Sequence, residues 1–400
     1  SKGHALAKVS YGSELVENGT FDSGTTGWYV SASGMATSVV NGEINLTNTA
    51  GSGKGTSQGF ETEIGKTYKI TATGRVVSGN GAFLVATVAH VQFSGNLGVD
   101  STTSSSNTEL SVTFTAVGEE SYVYLRSDQS GVVIFDNVSV KEVLFNQTDG
   151  SLQLFEHPNN IPRIEYDADG NLLGLLIEEA RTNLFEYSNL SSGWTSSAGA
   201  SIQTSYADSP ENLNNATALI ASSTDCRVFD QLTLNGSAHS FSIYAKKGVN
   251  RYLMLRLNTS ASQYRVYFDL QDGVFASESG GTGTNKIEDV GNGWYRCSIS
   301  TTDTSTSGQN VLLASTNTDG VETGSLTSGV AVYLYGAQLE AGSFPTSYMK
   351  TQGSTVSRAA DVASIDVDQF GYNQSEGTVF VEVDSLTDTL VGNPMAYQLN

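Results

Sequence analysis

Hydrophobic positions in this chain recur at every second residue rather than every third or fourth. Tyr68, Ile70 and Ala72 alternate with polar partners, as do Leu110, Val112 and Phe114, and again Phe241, Ile243 and Ala245. That spacing turns one face of an extended strand to a core and the other to water. The runs YVYLR (122–126), YRVYFDL (264–270) and VAVYLY (330–335) are rich in β-branched and aromatic residues, which favour the same element. Clusters of Ser, Thr, Gly and Asn separate the runs, as in an antiparallel sandwich or jelly roll rather than a parallel sheet. A helical period shows only at 175–185, where Ile177, Ala180 and Leu184 follow it, and predicts a turn or two of helix.

The pattern is doubled. One block opens with ENGTFDSGTTGWYV (17–30) and closes with VVIFDNVSVKEV (132–143); the next opens with EYSNLSSGWTSS (186–197) and closes with VAVYLYGAQLEAG (330–342). Each has a polar turn, a tryptophan just inside its start (Trp28, Trp194) and an aromatic-aliphatic last strand. The repeat predicts two similar modules whose opening segments pair with their last strands, both tryptophans being structural. The expected division is an arm at 1–13, a first module at 14–143, a junction at 144–185, a second module at 186–349, and a linker with a further β segment at 350–400. A chain of 400 residues accommodates two to three domains.

Charge narrows the function. With 41 acidic and 20 basic residues the formal net charge is −21, which repels phosphate backbones and argues against nucleic-acid binding. So many carboxylates serve solubility, and at loop tips they also suit divalent cations. Cys226 and Cys297 are too few for a disulfide scaffold, and Cys297 shares a strand face with Tyr295 and Ile299, so both are expected as free, buried thiols. The longest apolar run, LLGLLI (172–177), has six residues against the roughly 20 of a membrane helix. The opening residues lack the apolar core of a signal peptide, so no membrane insertion is expected.

Catalytic chemistry is scarce. His4, His90, His157 and His239 show no metal-ligand spacing, and neither a GxSxG elbow nor a GxxxxGK[ST] loop occurs. The glycines at 280–283 lie in a Ser/Thr-rich loop and open no helix. No coil-length repeat of the kind a long parallel β-helix needs is visible. The expectation is a protein without catalytic activity.

Residues 14–143, through ELVENGTF, the Gly27-Trp28 pair and the closing FDNVSV, resemble the jelly-roll carbohydrate-binding modules appended to bacterial cellulases and xylanases. The resemblance implies a structural calcium ion away from the sugar site, held by Thr20, the Gly42 carbonyl and Asp136. The plainer alternative is that Asp136-Asn137 merely ends a bulged strand. Gly336 stands where the second module would need the aspartate, so no calcium is expected there. Sugar binding in such modules uses aromatic faces and hydrogen-bonding side chains, for which Tyr122, Tyr124, Arg75 and Gln92 are the candidates. Core packing is the alternative for either tyrosine.

The junction carries a second resemblance. IPRIEY (161–166), GLLIEEARTNL (174–184) and Tyr187-Ser188 are similar, in the same order, to a junction that recurs in bacteriophage and prophage virion appendage proteins. AGSFPTSYMKTQGSTVSRAADV (341–362) resembles the usual exit from the second module, and SEGTVFVEVDS (375–385) resembles the first strands of a concanavalin-like lectin domain. The last 40 residues are too few to close such a domain, which implies that the polypeptide continues past Asn400 or is completed by a neighbour. The resemblance implies a fibre or capsid decoration on the virion surface, made in the bacterial cytoplasm and contacting other virion proteins. It also implies a homo-oligomer, in many relatives a trimer. Arg181 and Asn183 are candidate anchors of the junction, the arginine on Glu178 or Glu179. Two functions follow: a structural virion appendage, or an adhesion module that binds host or environmental polysaccharide.

Overall fold

The structure, a computed structural model, describes residues 3–30, 33–88, 96–147, 150–222, 225–306, 311–323 and 326–366, together with 373, 375, 376 and 378. Gln92, His90 and most of the concanavalin-like stretch lie outside the described residues. Every regular element described is a strand, and no helix occurs among the described residues.

The first module contains β1 (His4–Tyr11), β2 (Tyr29–Val30), β3 (Met35–Val40), β4 (Glu43–Asn48), β5 (Lys54–Glu61) and β6 (Thr67–Ser78). It continues with β7 (Ala82–Thr87), β8 (Asn96–Thr102), β9 (Thr108–Thr115), β10 (Glu120–Ser127), β11 (Gly131–Phe145) and β12 (Ser151–Glu156). One sheet runs β12-β1-β11-β4-β3, with β6 also on β11 and β9 on β6; the other runs β2-β5-β10-β7-β8. All pairings are antiparallel. Tyr68, Ile70, Ala72, Leu110, Val112 and Phe114 point between the sheets, where they meet Val123, Leu125, Leu84 and Phe60. Residues 1–13, expected as an arm, instead contain β1, which pairs from His4 to Val9 with β12 and from Val9 to Tyr11 with β11.

The junction holds β13 (Ile164–Tyr166), β14 (Leu172–Leu175) and β15 (Arg181–Asn183). The helix predicted at 175–185 is absent, because Ile177 and Ala180 face solvent and no apolar stripe is buried to hold one. The second module follows with β16 (Thr195–Ser196), β17 (Ala200–Ala207), β18 (Ala216–Ala221), β19 (Arg227–Asp230), β20 (His239–Lys247) and β21 (Tyr252–Asn258). Then come β22 (Gln263–Asp269), β23 (Val274–Ser279), β24 (Thr284–Asp289), β25 (Trp294–Thr301), β26 (Val311–Thr316), β27 (Gly329–Ala341) and β28 (Val356–Arg358). Its two six-stranded sheets run β16-β19-β26-β21-β22-β23 and β17-β18-β27-β20-β25-β24. Phe241, Ile243 and Ala245 lie in the core between them with both cysteines, which are free and buried as expected. The architecture is all-β: two antiparallel sandwiches of the jelly-roll type in tandem.

The opening of each module lies along its last strand, as the repeat predicts. In the first, the Leu15 amide donates to the Val140 carbonyl at 2.9 Å and the Val138 amide to Gly19 at 2.9 Å. In the second, Leu184 donates to Leu339 at 2.8 Å and Ala337 to Ser188 at 2.9 Å. Both last strands bulge, between Asp136 and Ser139 and opposite the stretch 242–244 of β20. A left-handed residue sits in each bulge, Asn137 (φ 53°) and Gly336 (φ 64°). Gly336 therefore matches Asn137, and Tyr335 rather than Gly336 stands at the place of Asp136. Trp28 packs on Phe21 and Trp194 on Phe185, so both tryptophans are structural.

Candidate glycan-binding face

Antiparallel register decides which side chains share the outer face of the five-stranded sheet. Val123 and Leu125 of β10 enter the core, so Tyr122, Tyr124 and Arg126 point away from it. Across the strands Tyr29 pairs with Ser57, Ser57 with Tyr124, Tyr124 with Val85 and Val85 with Val99. That row crosses all five strands. The residues of β5 beside Tyr122, Tyr124 and Arg126 are Gly59, Ser57 and Gly55. They carry almost no side chain, and the large neighbours lean over them. A Cβ at Gly59 would stand 2.8 Å from the Tyr122 ring, so the glycine makes room for that ring.

The large side chains of this face are partly locked. The Arg126 guanidinium lies over the Phe83 ring, 5.0 Å from its centroid, and pairs with Asp128 at 2.5 Å. Tyr122 hydrogen-bonds Glu120, and that bond together with burial pushes its pKa up to about 12. Burial raises the Tyr124 hydroxyl as well. Both tyrosines therefore stay neutral in the physiological range, and Tyr122 already donates its hydroxyl proton to Glu120. Tyr29, at 49% exposure, is the open ring of the row.

Of the residues expected to bind sugar, Tyr122 and Tyr124 are brought together and Arg75 is not. Arg75 lies on β6, in the opposite sheet, and forks onto Glu43 at 2.5 and 2.6 Å with a third bond to Asn107 at 2.7 Å. Its assignment to the sugar face is corrected: the alternation of β6 faces it to the outside of the other sheet. Gln92 lies outside the described residues. Sequence reasoning missed Tyr29, Arg126 and Phe83. Arg126 had a signal, because it continues the i, i+2 series of Tyr122 and Tyr124.

Thr20, Gly42 and Asp136 gather at the Arg75 side of the module. A Cβ on Gly42 would lie 3.5 Å from the Thr20 carbonyl oxygen and 3.7 Å from an Asp22 carboxylate oxygen. The Thr20 hydroxyl donates to Asp22 at 2.6 Å. Burial raises the Asp136 carboxyl, and the charges of Glu43 and Asp22 add to that, while Arg75 is committed to Glu43. The donor set is all oxygen, with acidic charge in excess of the single arginine, which fits a hard cation. No cluster of three or more His, Cys, Asp or Glu side chains suited to a metal exists among the described residues, so carbonyls such as those of Thr20 and Gly42 would have to share the work.

The junction is pinned by buried polar groups. Asn183 donates to the carbonyls of Ala337 (3.1 Å) and Met349 (2.9 Å), and its oxygen accepts from Phe185 and Leu339 at 3.2 Å each. Glu178 accepts from Arg163 at 2.7 Å, Arg358 at 3.2 Å and the Ser347 amide at 2.8 Å. Arg181 takes Glu179 and lies over Phe344. Asn183 and Arg181 are thus anchors, whereas the buried arginines on Glu178 are Arg163 and Arg358. Two open depressions, by Glu179–Leu184 and by Trp194 with Ile202, lie away from the tyrosine face.

No family model matches the chain, and no curated protein matches it. Among solved structures, one described as CBM4 structure and function is 17% identical, covering 32% of this chain and 99% of that one, with a TM-score of 0.28. The tandem CBM22-1–CBM22-2 domain of Paenibacillus barcinonensis Xyn10C is 12% identical over 85% of this chain and 100% of that one, with a TM-score of 0.27. An arabinose-bound α-L-arabinofuranosidase, MgGH51, is 15% identical over 32% and 26%, at 0.26. Likeness at this level leaves fold and function to be argued from the chain's own sheets and side chains.

Proposed function

We propose that this chain is a non-enzymatic glycan-binding protein that adsorbs to polysaccharide through the outer face of the first module's five-stranded sheet. The observation that carries the reading is the row from Tyr29 to Tyr124 beside Tyr122 and Arg126. It offers the half-exposed Tyr29 ring for the apolar face of a sugar, with the deeper-set Tyr124 phenol and Arg126 guanidinium, 6% and 8% exposed, beside it. Affinity electrophoresis through neutral polysaccharides, backed by a glycan array, tests it. The wild-type chain is expected to be retarded, and Tyr29→Ala or Tyr124→Ala to lose roughly tenfold in affinity. Arg75→Gln is expected to bind as wild type. Absence of binding to every glycan at high protein concentration would overturn the reading.

The clamped junction favours a setting for this activity. Asn183 and Glu178, within the segment similar to phage appendage junctions, fix that segment against the second module. A fixed junction suits modules displayed in series on a virion surface, as an oligomeric fibre or decoration. Mass spectrometry of purified particles checks this, and absence of the chain from them would refute it. The oxygen cluster at Thr20, Gly42 and Asp136 is proposed to hold calcium that ties the opening segment to β11. Calcium is expected to raise the melting temperature of the wild type and to leave Asp136→Asn unchanged.

A further inference from the structure

The second module carries a face on which three arginines converge. In its β16-to-β23 sheet, Leu253, Leu255 and Leu257 of β21 point into the core, so Met254 and Arg256 point out. Register then lays two rows on the outer face. Arg227, Ala314, Met254 and Tyr267 form one, and Phe229, Leu312, Arg256 and Arg265 form the other. Arg256 and Arg265 stand directly opposite each other on neighbouring strands. Like charges so placed destabilise a sheet unless an anion lies between them.

That anion is a carboxylate of the chain itself. Glu322, from the segment after β26, accepts from Arg227 at 3.0 Å and Arg256 at 3.4 Å on one oxygen, and from Arg265 at 2.8 Å on the other. Arg227 also forks onto Asp225, at 2.7 Å for both bonds. Three guanidiniums thus share Glu322 and Asp225, and Asp319 adds a further carboxylate near Tyr267. Arg256 is the least satisfied: it is 5% exposed, its contact with Glu322 is long, and its Nε has no hydrogen-bond partner. A buried guanidinium holding back a donor is costly unless something else can take it. Beside it, Met254, Tyr267 and Leu312 make a packed apolar floor with Phe229 at its edge.

We infer that this face is a second binding site, for a carboxylate-bearing sugar of the uronate class in an acidic polysaccharide, and that Glu322 occupies it as an internal stand-in for the ligand carboxylate. The ligand carboxylate would take the three-arginine seat once the Glu322 side chain turns away, and its ring would lie against the partly exposed Phe229 at the border of the face. The inference does not depend on the tyrosine face of the first module. The net charge of −21 repels a polyanion at range, so recognition depends on contact, and binding is best read at about 0.15 M salt, where screening leaves roughly 8 Å of reach.

The test is calorimetric titration of the intact chain with polygalacturonate, alginate and hyaluronate, with methyl-esterified polygalacturonate and poly-glutamate as controls. The wild type is expected to bind at least one of the three acidic polysaccharides and neither control. Glu322→Gln, which keeps the shape and removes the competing charge, is expected to bind roughly tenfold more tightly. Arg256→Gln and Arg265→Gln are expected to lose about thirtyfold or more. Because Glu322→Gln gains affinity, misfolding cannot mimic its result, and melting curves separate lost contacts from lost fold in the arginine variants. No binding of any acidic polysaccharide by wild type and Glu322→Gln alike overturns the inference. So does weaker binding by Glu322→Gln, or equal binding of poly-glutamate, which would mark a site for acidic protein. Tyr29→Ala should leave acidic binding intact, so this site and the neutral-glycan face fail or stand separately.

Discussion

Single residues carry this architecture where the backbone has no sheet partner. Asn183 satisfies four backbone groups around it, two carbonyls and two amides, in a fully buried position. Asn183→Leu keeps the volume but strands those groups, so the second module is expected to lose about 3 kcal/mol in urea unfolding. A change below roughly 0.5 kcal/mol would show that the segment re-pairs locally. Asn183 was legible in the sequence because a short amide within an apolar run has few uses besides holding backbone. Arg163 was not, since its partners Glu178 and Asp361 are 15 and 198 residues away. Spacing along the chain puts the tyrosines on the strand face opposite Val123 and Leu125, but it could not place Arg75. Alternation says that a side chain leaves the core, not which of two sheets it leaves from.

At the scale of elements, period two found the strands and the helical period failed. The spacing of Ile177, Ala180 and Leu184 was coincidental, and the one well-buried residue of that stretch before Asn183 is the charged Glu178. Strand β1 was hidden for the opposite reason, because the sequence HALAKVSY gives no sign that its partner is β12, far along the chain at Ser151–Glu156. Its first residue is a titrating clasp. His4 Nδ1 lies 2.9 Å from the Tyr348 carbonyl and Nε2 lies 2.7 Å from Glu211, so each ring nitrogen faces an acceptor, which favours the protonated imidazole. Burial alone would lower the His4 pKa, but the Glu211 charge more than offsets it and leaves it above 6.5; burial would raise Glu211, and His4 holds it well below 4.5. The raised histidine stabilises below pH 6.5 and loses its effect as pH rises through its folded value. The lowered glutamate stabilises above pH 4.5 and loses its effect as pH falls. The pair is therefore worth most between about pH 4.5 and 6.5. Burial drops His157 to about 4, so it opposes this trend below neutrality, with Glu156 and Lys350 adding fixed charge nearby. Subtracting the melting-temperature profile of His4→Gln isolates the pair, and the difference should peak in that window and shrink toward pH 8. A flat difference would mean that His4 does not change its charge on folding.

Across the whole molecule the two sandwiches are joined by more than a tether. Leu154 of β12 enters an apolar cluster with Tyr244, Trp294, Tyr335 and Tyr348 on the second module's outer face. Its amide donates to Pro210 at 3.0 Å, Lys350 pairs with Asp100 of β8 at 2.8 Å, and His4 stacks 4.7 Å from Tyr348. Buried contacts of this kind, with both charges of each pair desolvated, make the separation of the modules costly, because each half would expose an unpartnered ion. The second module thus spends the outer face of its β17-to-β24 sheet on docking, while the arginine face lies on its other sheet, β16 to β23. Scanning calorimetry of the wild type is expected to show one unfolding transition with matched calorimetric and van't Hoff enthalpies. Glu211→Gln combined with Lys350→Met removes one partner from each cross-module pair and should split the transition in two, the modules then melting separately. Asp100 stands on β8 opposite Leu84, on the reverse side of the strand from Val99, so the same variant should keep its affinity for glycans while its melting becomes biphasic. Two transitions already in the wild type would mean that the modules are independent beads, joined by a junction that orients them without coupling their stability.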